Sequence, residues 1–186
     1  MKIHRSTSSD NDTFCDFWNA ALSYQKSKQL PLWPSYPERQ IRGEIQAGLH
    51  FSVFMPDGIL AGYFSLALSD KLIWGEKERG DAIYIHRMCV NPDRKGNNLT
   101  TAVLAWAYGY ALGSGRKFIR MDTWGDNQRL VNYYITCGFQ HIENRRLGSV
   151  PDLPPHYSNA NLALFENTVD SPSVLSSGSD QANKLT

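Results

Sequence analysis

YIHRMCVNPDRKGNNLTT, residues 84–101, is the stretch from which the fold can be read. Residues 84–90 are rich in β-branched and apolar side chains, as a buried strand is. Asn91-Pro92-Asp93 ends that strand, because proline cannot donate to a central ladder and Asn and Asp favour turns. A polar loop, 94–98, then enters a helix with apolar residues at Leu99, Ala102, Val103, Trp106, Ala107 and Tyr110. That is the i, i+3, i+4, i+7 spacing of one buried face. The first turn of a helix leaves N–H groups unpaired at the positive end of the helix dipole, so a strand, polar loop and helix start together form an anion site. Lys95, Gly96, Asn97, Asn98, Leu99, Thr100 and Thr101 can each offer a backbone N–H. Gly96 permits close approach, Arg94 and Lys95 add charge, and the Thr100 and Thr101 hydroxyls could supplement the amides. An ordinary βα turn without a ligand accounts for the same local pattern equally well.

Working outward, residues 2–7 alternate as a first strand. Asp10 or Asn11 caps a helix with Phe14, Phe17, Trp18, Ala21 and Leu22 at helical spacing. The segment QLPLWPSYP, 29–37, excludes regular structure, and Ser35 with Glu38 signals a capping box for a second helix over 36–47, closed by Gly48. Residues 50–55 and 59–68 read as a hairpin turning at Pro56-Asp57-Gly58. A charged loop, 69–80, surrounds Trp74. After helix 99–112, residues 118–124 form a strand that its helical crossover makes parallel to strand 82–90. Asp126 starts a helix carrying Leu130, Val131, Tyr134 and Ile135, ended by Gly138. Strands over 139–147 and 161–166 flank a Pro-rich loop. The order βααβββαβαββ predicts an α+β fold, layered around a mixed sheet. The domain is expected to span 1–167, with a Ser-rich, disordered tail over 168–186.

The 186 residues fit one domain, and 41% apolar with 20% charged residues is ordinary for a globular protein. A formal net charge of +1 gives no reason to expect nucleic acid, and no basic run suggests a membrane surface. No apolar run reaches membrane-spanning length, and MKIHRSTSSD lacks the apolar core of a signal peptide. The three cysteines, Cys15, Cys89 and Cys137, show no C-x-x-C spacing, which argues against disulfides or a bound metal and fits a reducing cytoplasm. Neither G-x-x-x-x-G-K-[ST] nor G-x-G-x-x-G occurs, which disfavours a nucleotide-binding enzyme.

Two motifs carry a resemblance to a known family. VNPDRKGNNLTTAVLAWA resembles the pyrophosphate loop of the GNAT superfamily of N-acetyltransferases, usually R/Q-x-x-G-x-G/A, and DNQRLVNYYITCGF, 126–139, resembles its second signature. The likeness spans about residues 1–167 and includes the element order. Lys95 falls at the R/Q position, while Asn98 and Thr100 stand where glycine and glycine-or-alanine are usual, leaving Gly96. Asn tolerates a left-handed backbone, so the loop can still close on a phosphate.

The resemblance implies acetyl-CoA as donor and a primary amine as acceptor, on a small molecule or a peptide, with a homodimer left open. It implies a parallel central strand pair that splays to admit the donor, with the carbonyl held by backbone N–H groups around Met88, Cys89 and Val90. Asn127 would bond the coenzyme arm, although a helix-start role fits it equally. Tyr134 would protonate the departing thiolate, against the alternative of a core tyrosine. Alternation places Tyr84, His86 and Met88 on one face of the strand and Arg87 and Cys89 on the other. Imidazole accepts protons near neutral pH, which nominates His86 as the base, with Glu76, Glu78 and Asp81 as rivals. Cys89 as a nucleophile is set against simple packing. Trp33, Tyr36, Trp74 and Trp124 are the expected acceptor-pocket residues, against the alternative that they cover core edges. A GNAT-like binding module with a weakened cofactor loop is the rival to an enzyme.

Overall fold

The computed structural model describes residues 1–169, so the tail expectation falls, apart from 168 and 169, outside the described residues. The elements are β1 (Lys2–Arg5), α1 (Asn11–Ser27), α2 (Glu38–Gln46), β2 (His50–Phe54), β3 (Leu60–Ala67), α3 (Lys71–Trp74), β4 (Ala82–Val90), α4 (Leu99–Gly113), β5 (Phe118–Trp124), α5 (Gln128–Thr136), β6 (His141–Arg146) and β7 (Asn161–Thr168). One seven-stranded sheet runs β1-β2-β3-β4-β5-β7-β6. Every neighbouring pair is antiparallel except β4 and β5, which are parallel. The mixed, mostly antiparallel sheet with helices on both faces is the expected fold class.

The two faces carry different cores. Against α4 and α5, Ile83, Ile85, Val53 and Phe64 pack with Leu99, Val103, Ala107 and Val131. Against α1 and α2, Tyr63 and Cys89 pack with Phe14, Phe17, Trp18 and Ile41. Trp74, Tyr84, Leu162 and Leu164 form a third cluster.

Four local expectations need correction. Ser35 forms no capping box: Pro37 occupies the position before α2, without a side-chain cap. Asn127, not Asp126, caps α5, its side chain accepting the Leu130 N–H at 3.1 Å, while Asp126 accepts from Asn161 Nδ2 at 2.8 Å. Residues 69–80 are not simply a loop, because α3 folds there and buries Trp74 completely. Strict alternation along β4 also fails. Ser65 pairs with His86 and Tyr63 with Cys89, so β4 holds one extra residue against β3. The bulge is at Arg87, whose φ is +50°. It returns Cys89 to the face of Tyr63, Tyr84 and His86, and turns Met88 toward α4.

Gly62 makes this close packing possible. A Cβ there would lie 2.4 Å from the Cys89 carbonyl oxygen and 2.7 Å from Leu99 Cδ1. Backbone on one side and the first residue of α4 on the other leave no room for a methyl. Gly62→Ala is therefore expected to lower the unfolding free energy by about 1–3 kcal/mol in urea denaturation, and an unchanged midpoint would contradict this packing.

Candidate active site

The loop after β4 is fastened to β3. The Asn91 N–H bonds the Ala61 carbonyl at 2.8 Å, its Nδ2 donates to the Leu60 carbonyl at 2.8 Å, and its Oδ1 accepts the Asp93 N–H at 2.9 Å. Past this anchor, Gly96 has φ +80° and Asn98 φ +56°, two left-handed residues that curl the backbone around its own amides. Asn98 thus adopts the conformation for which glycine is favoured, and its side chain does not cap α4. The first bond into the helix runs from the Ala102 N–H to the Asn98 carbonyl at 3.0 Å. Among the described residues, the backbone N–H groups of the seven residues 95–101 find no protein acceptor.

The side chains of this loop are less free than its amides. Thr100 is buried, and its hydroxyl lies 3.0 Å from the Tyr133 hydroxyl and 3.4 Å from Met88 Sδ. It is therefore engaged in packing, not available beside the amides as its residue type suggests. Thr101 is exposed and Leu99 faces the core. Lys95 extends its ammonium over the Tyr24 ring at 4.8 Å, Arg94 pairs with Asp57 at 3.5 Å, and Asn97 Nδ2 donates to the Arg94 carbonyl at 2.9 Å.

Beside the loop the sheet opens. β4 and β5 pair only at Ala82–Phe118, Ile83–Ile119 and Tyr84–Arg120, whereas β5 stays paired with β7 to Trp124. Beyond Tyr84 the β4 edge has no partner on β5. A cleft of about 400 Å³ lies there, with Met88 and His86 from β4, Asp122 and Trp124 from β5, and Asn127 and Tyr134 from α5 on its walls. Cys89 is excluded from it, 2% exposed against Tyr63, and burial pushes its thiol up to about 11. A thiol so held is a poor nucleophile.

Tyr134 stands with its ring edge-on to Phe139 and Phe165, both centroids at 5.8 Å. Its hydroxyl bonds no other described residue. Burial, and secondarily its neighbours Tyr133, Cys137 and Asp122, raise its pKa well above the usual phenol value. The group therefore stays protonated across physiological pH. Opposite lies a histidine between carboxylates: His86 Nε2 is 3.4 Å from Asp70 Oδ2, and ligand atoms of Asp70, His86 and Asp122 all fall within 4.8 Å of one another. Desolvation raises Asp122 from its usual 3.8 to about 6, with Asp70 adding to the effect and His86 opposing it. Glu78 is occupied by the backbone N–H groups of Asp70 and Gly80, at 2.8 and 2.7 Å. Glu76 and Asp81 line a separate depression near Arg120. Of the acidic rivals to His86, none reaches the cleft.

The expected acceptor residues divide. Trp33 and Trp124 line the cleft. Tyr36 and Trp74 are corrected: the Tyr36 hydroxyl donates to Asn11 Oδ1 at 3.0 Å and ties the loop to α1, outside the cleft. Trp74 is 0% exposed, packed on Tyr84 and beneath the Arg120 guanidinium. Sequence reasoning missed Asp70, Asp122 and the Glu44–Arg87 ion pair. Asp122 left one trace, the lone acid of the strand FIRMDTW. Nothing in the linear pattern pointed to Asp70 or Glu44.

An acetyltransferase of the GNAT family from Listeria monocytogenes superposes with a TM-score of 0.67 at 18% identity, over 90% of this chain and 94% of that one. The acetyltransferase YncA of Salmonella typhimurium, solved with its cofactor acetyl-CoA, gives 0.64 at 14% identity, over 92% and 95%. These likenesses define the class of fold, a sheet opened between two parallel strands. The uncharacterized N-acetyltransferase YesJ of Bacillus subtilis is 31% identical over 106 residues, 55% of this chain and 58% of that protein, so the match spans little more than half of that relative. Residues 15–139 match the model of the acetyltransferase (GNAT) family. The chain belongs to that family, whose members are acyltransferases that draw on acetyl-CoA.

Because ionising Asp122 is disfavoured in the folded state, its protonated form stabilises the fold. Stability should fall as pH rises from near 4 through about 6. Asp122→Asn should lack that loss, so in chemical denaturation it gains on the wild type between about pH 4.5 and about pH 7.5. Equal pH dependence of the two proteins would show that Asp122 is not desolvated.

Proposed function

We propose that the chain transfers the acetyl group of acetyl-CoA to a primary amine by direct attack of the amine on the thioester. The observation that carries this reading is the run of amides at 95–101, without protein acceptors, beside the opening between β4 and β5. A diphosphate suits those donors, and Lys95 adds charge. When bound, acetyl-CoA supplies an activated acetyl carbon and a thiolate leaving group.

The residues of the chain divide the remaining work. The unpartnered β4 edge at Met88 and Val90 offers backbone N–H groups to the thioester carbonyl, while the backbone of Cys89, between them, faces β3. Asn127 spends its Oδ1 on capping α5, which leaves its Nδ2 for the coenzyme arm. His86, held by Asp70, takes a proton from the ammonium and so frees the lone pair that forms the N–C bond. The C–S bond breaks, and Tyr134 gives its proton to the sulfur. Of the two protons that an ammonium loses on becoming an amide, one leaves through His86 and the other restores the Tyr134 phenol. Trp33 and Trp124 wall the acceptor's place. The acceptor is a small-molecule amine or an amine of a peptide. Three free cysteines fit a reducing, cytoplasmic setting, and no described helix is long and apolar enough to cross a membrane.

Calorimetry with acetyl-CoA, followed by thiol release with a broad amine panel, tests the reading. Binding with amine-dependent thiol release supports it, and no heat at millimolar cofactor favours a binding module instead. Tyr134→Phe should lower kcat about tenfold or more with little change in acetyl-CoA affinity; an unchanged rate would reassign the acid. The space around a Gly96 Cβ is open, but φ +80° strains any β-branched residue. Gly96→Val should therefore weaken acetyl-CoA binding about tenfold by re-aiming the loop amides. Retained affinity would place the diphosphate elsewhere.

A further inference from the structure

Resting on the acetyl-transfer reading, we propose that the acceptor is a lipophilic monoamine: one primary ammonium on an aromatic or aliphatic body, with no carboxylate and no second charge. The charges lining the cleft carry this. Among the described lining residues the acids are Glu44, Asp70 and Asp122, and the only lysine or arginine is Arg87. Glu44 is neutralised by its ion pair with Arg87 and also accepts the Ser65 hydroxyl at 2.6 Å. The Arg87 Nε is buried, and the charge of the guanidinium is committed to Glu44. No cation is left to receive a substrate carboxylate.

The two acids without a lysine or arginine partner act at one point, beside His86. Asp70 and Asp122 offer oxygens within 4.8 Å of each other and of the His86 ring, so together they hold a single ammonium. They cannot serve two ammonium groups separated by several methylenes. Desolvation raises the Asp122 pKa to about 6, which leaves that carboxylate mostly ionised at neutral pH, where the amine arrives protonated. His86, within the same cluster, is placed to take the proton that frees the nitrogen for attack.

Away from that point the wall is mostly apolar and, among the described residues, carries no further acid, with Gln25, Gln40 and Asn127 among its neutral polar side chains. Trp33 packs on Trp18 at 4.6 Å between centroids, and the Trp18 Nε1–H is spent on the Pro34 carbonyl at 3.0 Å. From the other loop, Tyr157 lies 6.2 Å from Trp124 and 4.4 Å from His156. Burial lowers the His156 pKa, which keeps that ring neutral. Ile73, Leu153 and Leu162 fill in between. A hydrocarbon or aryl body gains from this surface, whereas a second ammonium or a carboxylate would be desolvated against it without a partner.

Phenethylamine, phenylalanine and spermidine separate these cases in one thiol-release assay with acetyl-CoA. Phenylalanine differs from phenethylamine only by the carboxylate, and spermidine carries further ammonium groups on a body without a ring. Phenethylamine should exceed both in kcat/KM by about a hundredfold, the order expected from desolvating an additional charge that finds no partner in the site. It should also quench tryptophan fluorescence through Trp33 and Trp124, and Asp122→Asn should raise its KM about tenfold or more. Equal or faster transfer to phenylalanine or spermidine overturns the acceptor assignment and leaves acetyl transfer standing. So does acetyl-CoA binding without transfer to phenethylamine. Failure to bind acetyl-CoA in calorimetry removes the underlying reading and this inference with it.

Discussion

The structure depends on one carboxylate that holds a bulge. Glu44, on α2, pairs through Oε1 with Arg87 and accepts the Ser65 hydroxyl on Oε2 at 2.6 Å. Arg87 is the extra residue of β4, and Ser65 lies on β3 where the register shifts. A left-handed arginine in the middle of a strand is strained, and a charged partner that also bonds the neighbouring strand offsets that strain. β4 pairs with β5 at only three positions, the last at Tyr84, and the bulge at Arg87 follows in the stretch where the two strands are no longer paired.

The bulge also sorts the side chains. Cys89 turns into the packed face beside Tyr63, where burial makes it inert, and Met88 turns to the Thr100 hydroxyl at the start of α4. His86 stays in the cleft, between Asp70 and Asp122. The imidazole between two carboxylates and the Tyr134 phenol, whose pKa burial has raised, line one opening, and the proposed mechanism assigns them base and acid work. The amides of 95–101, free of protein acceptors, lie on the same β4–α4 connection.

Much of this was legible in the chain, and the limits are physical. Helical spacing and turn residues identify α1, α4, α5 and the β2–β3 hairpin, because an amphipathic face and a Pro-Asp-Gly turn are local properties. The seven amides followed from a proline-broken strand running into a helix, and Asn98 at φ +56° shows why that loop manages with so few glycines. Strand alternation misplaced Met88 and Cys89, since a bulge is set by the partner strand and by Glu44, 43 residues away. Trp74 and Tyr36 look like pocket aromatics in sequence, but tertiary packing hides the first and a hydrogen bond to Asn11 occupies the second. Asp122 and Asp70 come together only once β5 and the start of α3 meet across the sheet.

The central claim is that a diphosphate rests on the amides of 95–101 while its thioester arm enters between β4 and β5. A titration of the 15N-labelled protein with acetyl-CoA, followed by amide resonances, reads this directly. The largest shifts should fall on residues 95–101, with a second group at Met88, Cys89 and Val90. Saturable binding that leaves both groups unmoved would contradict the account.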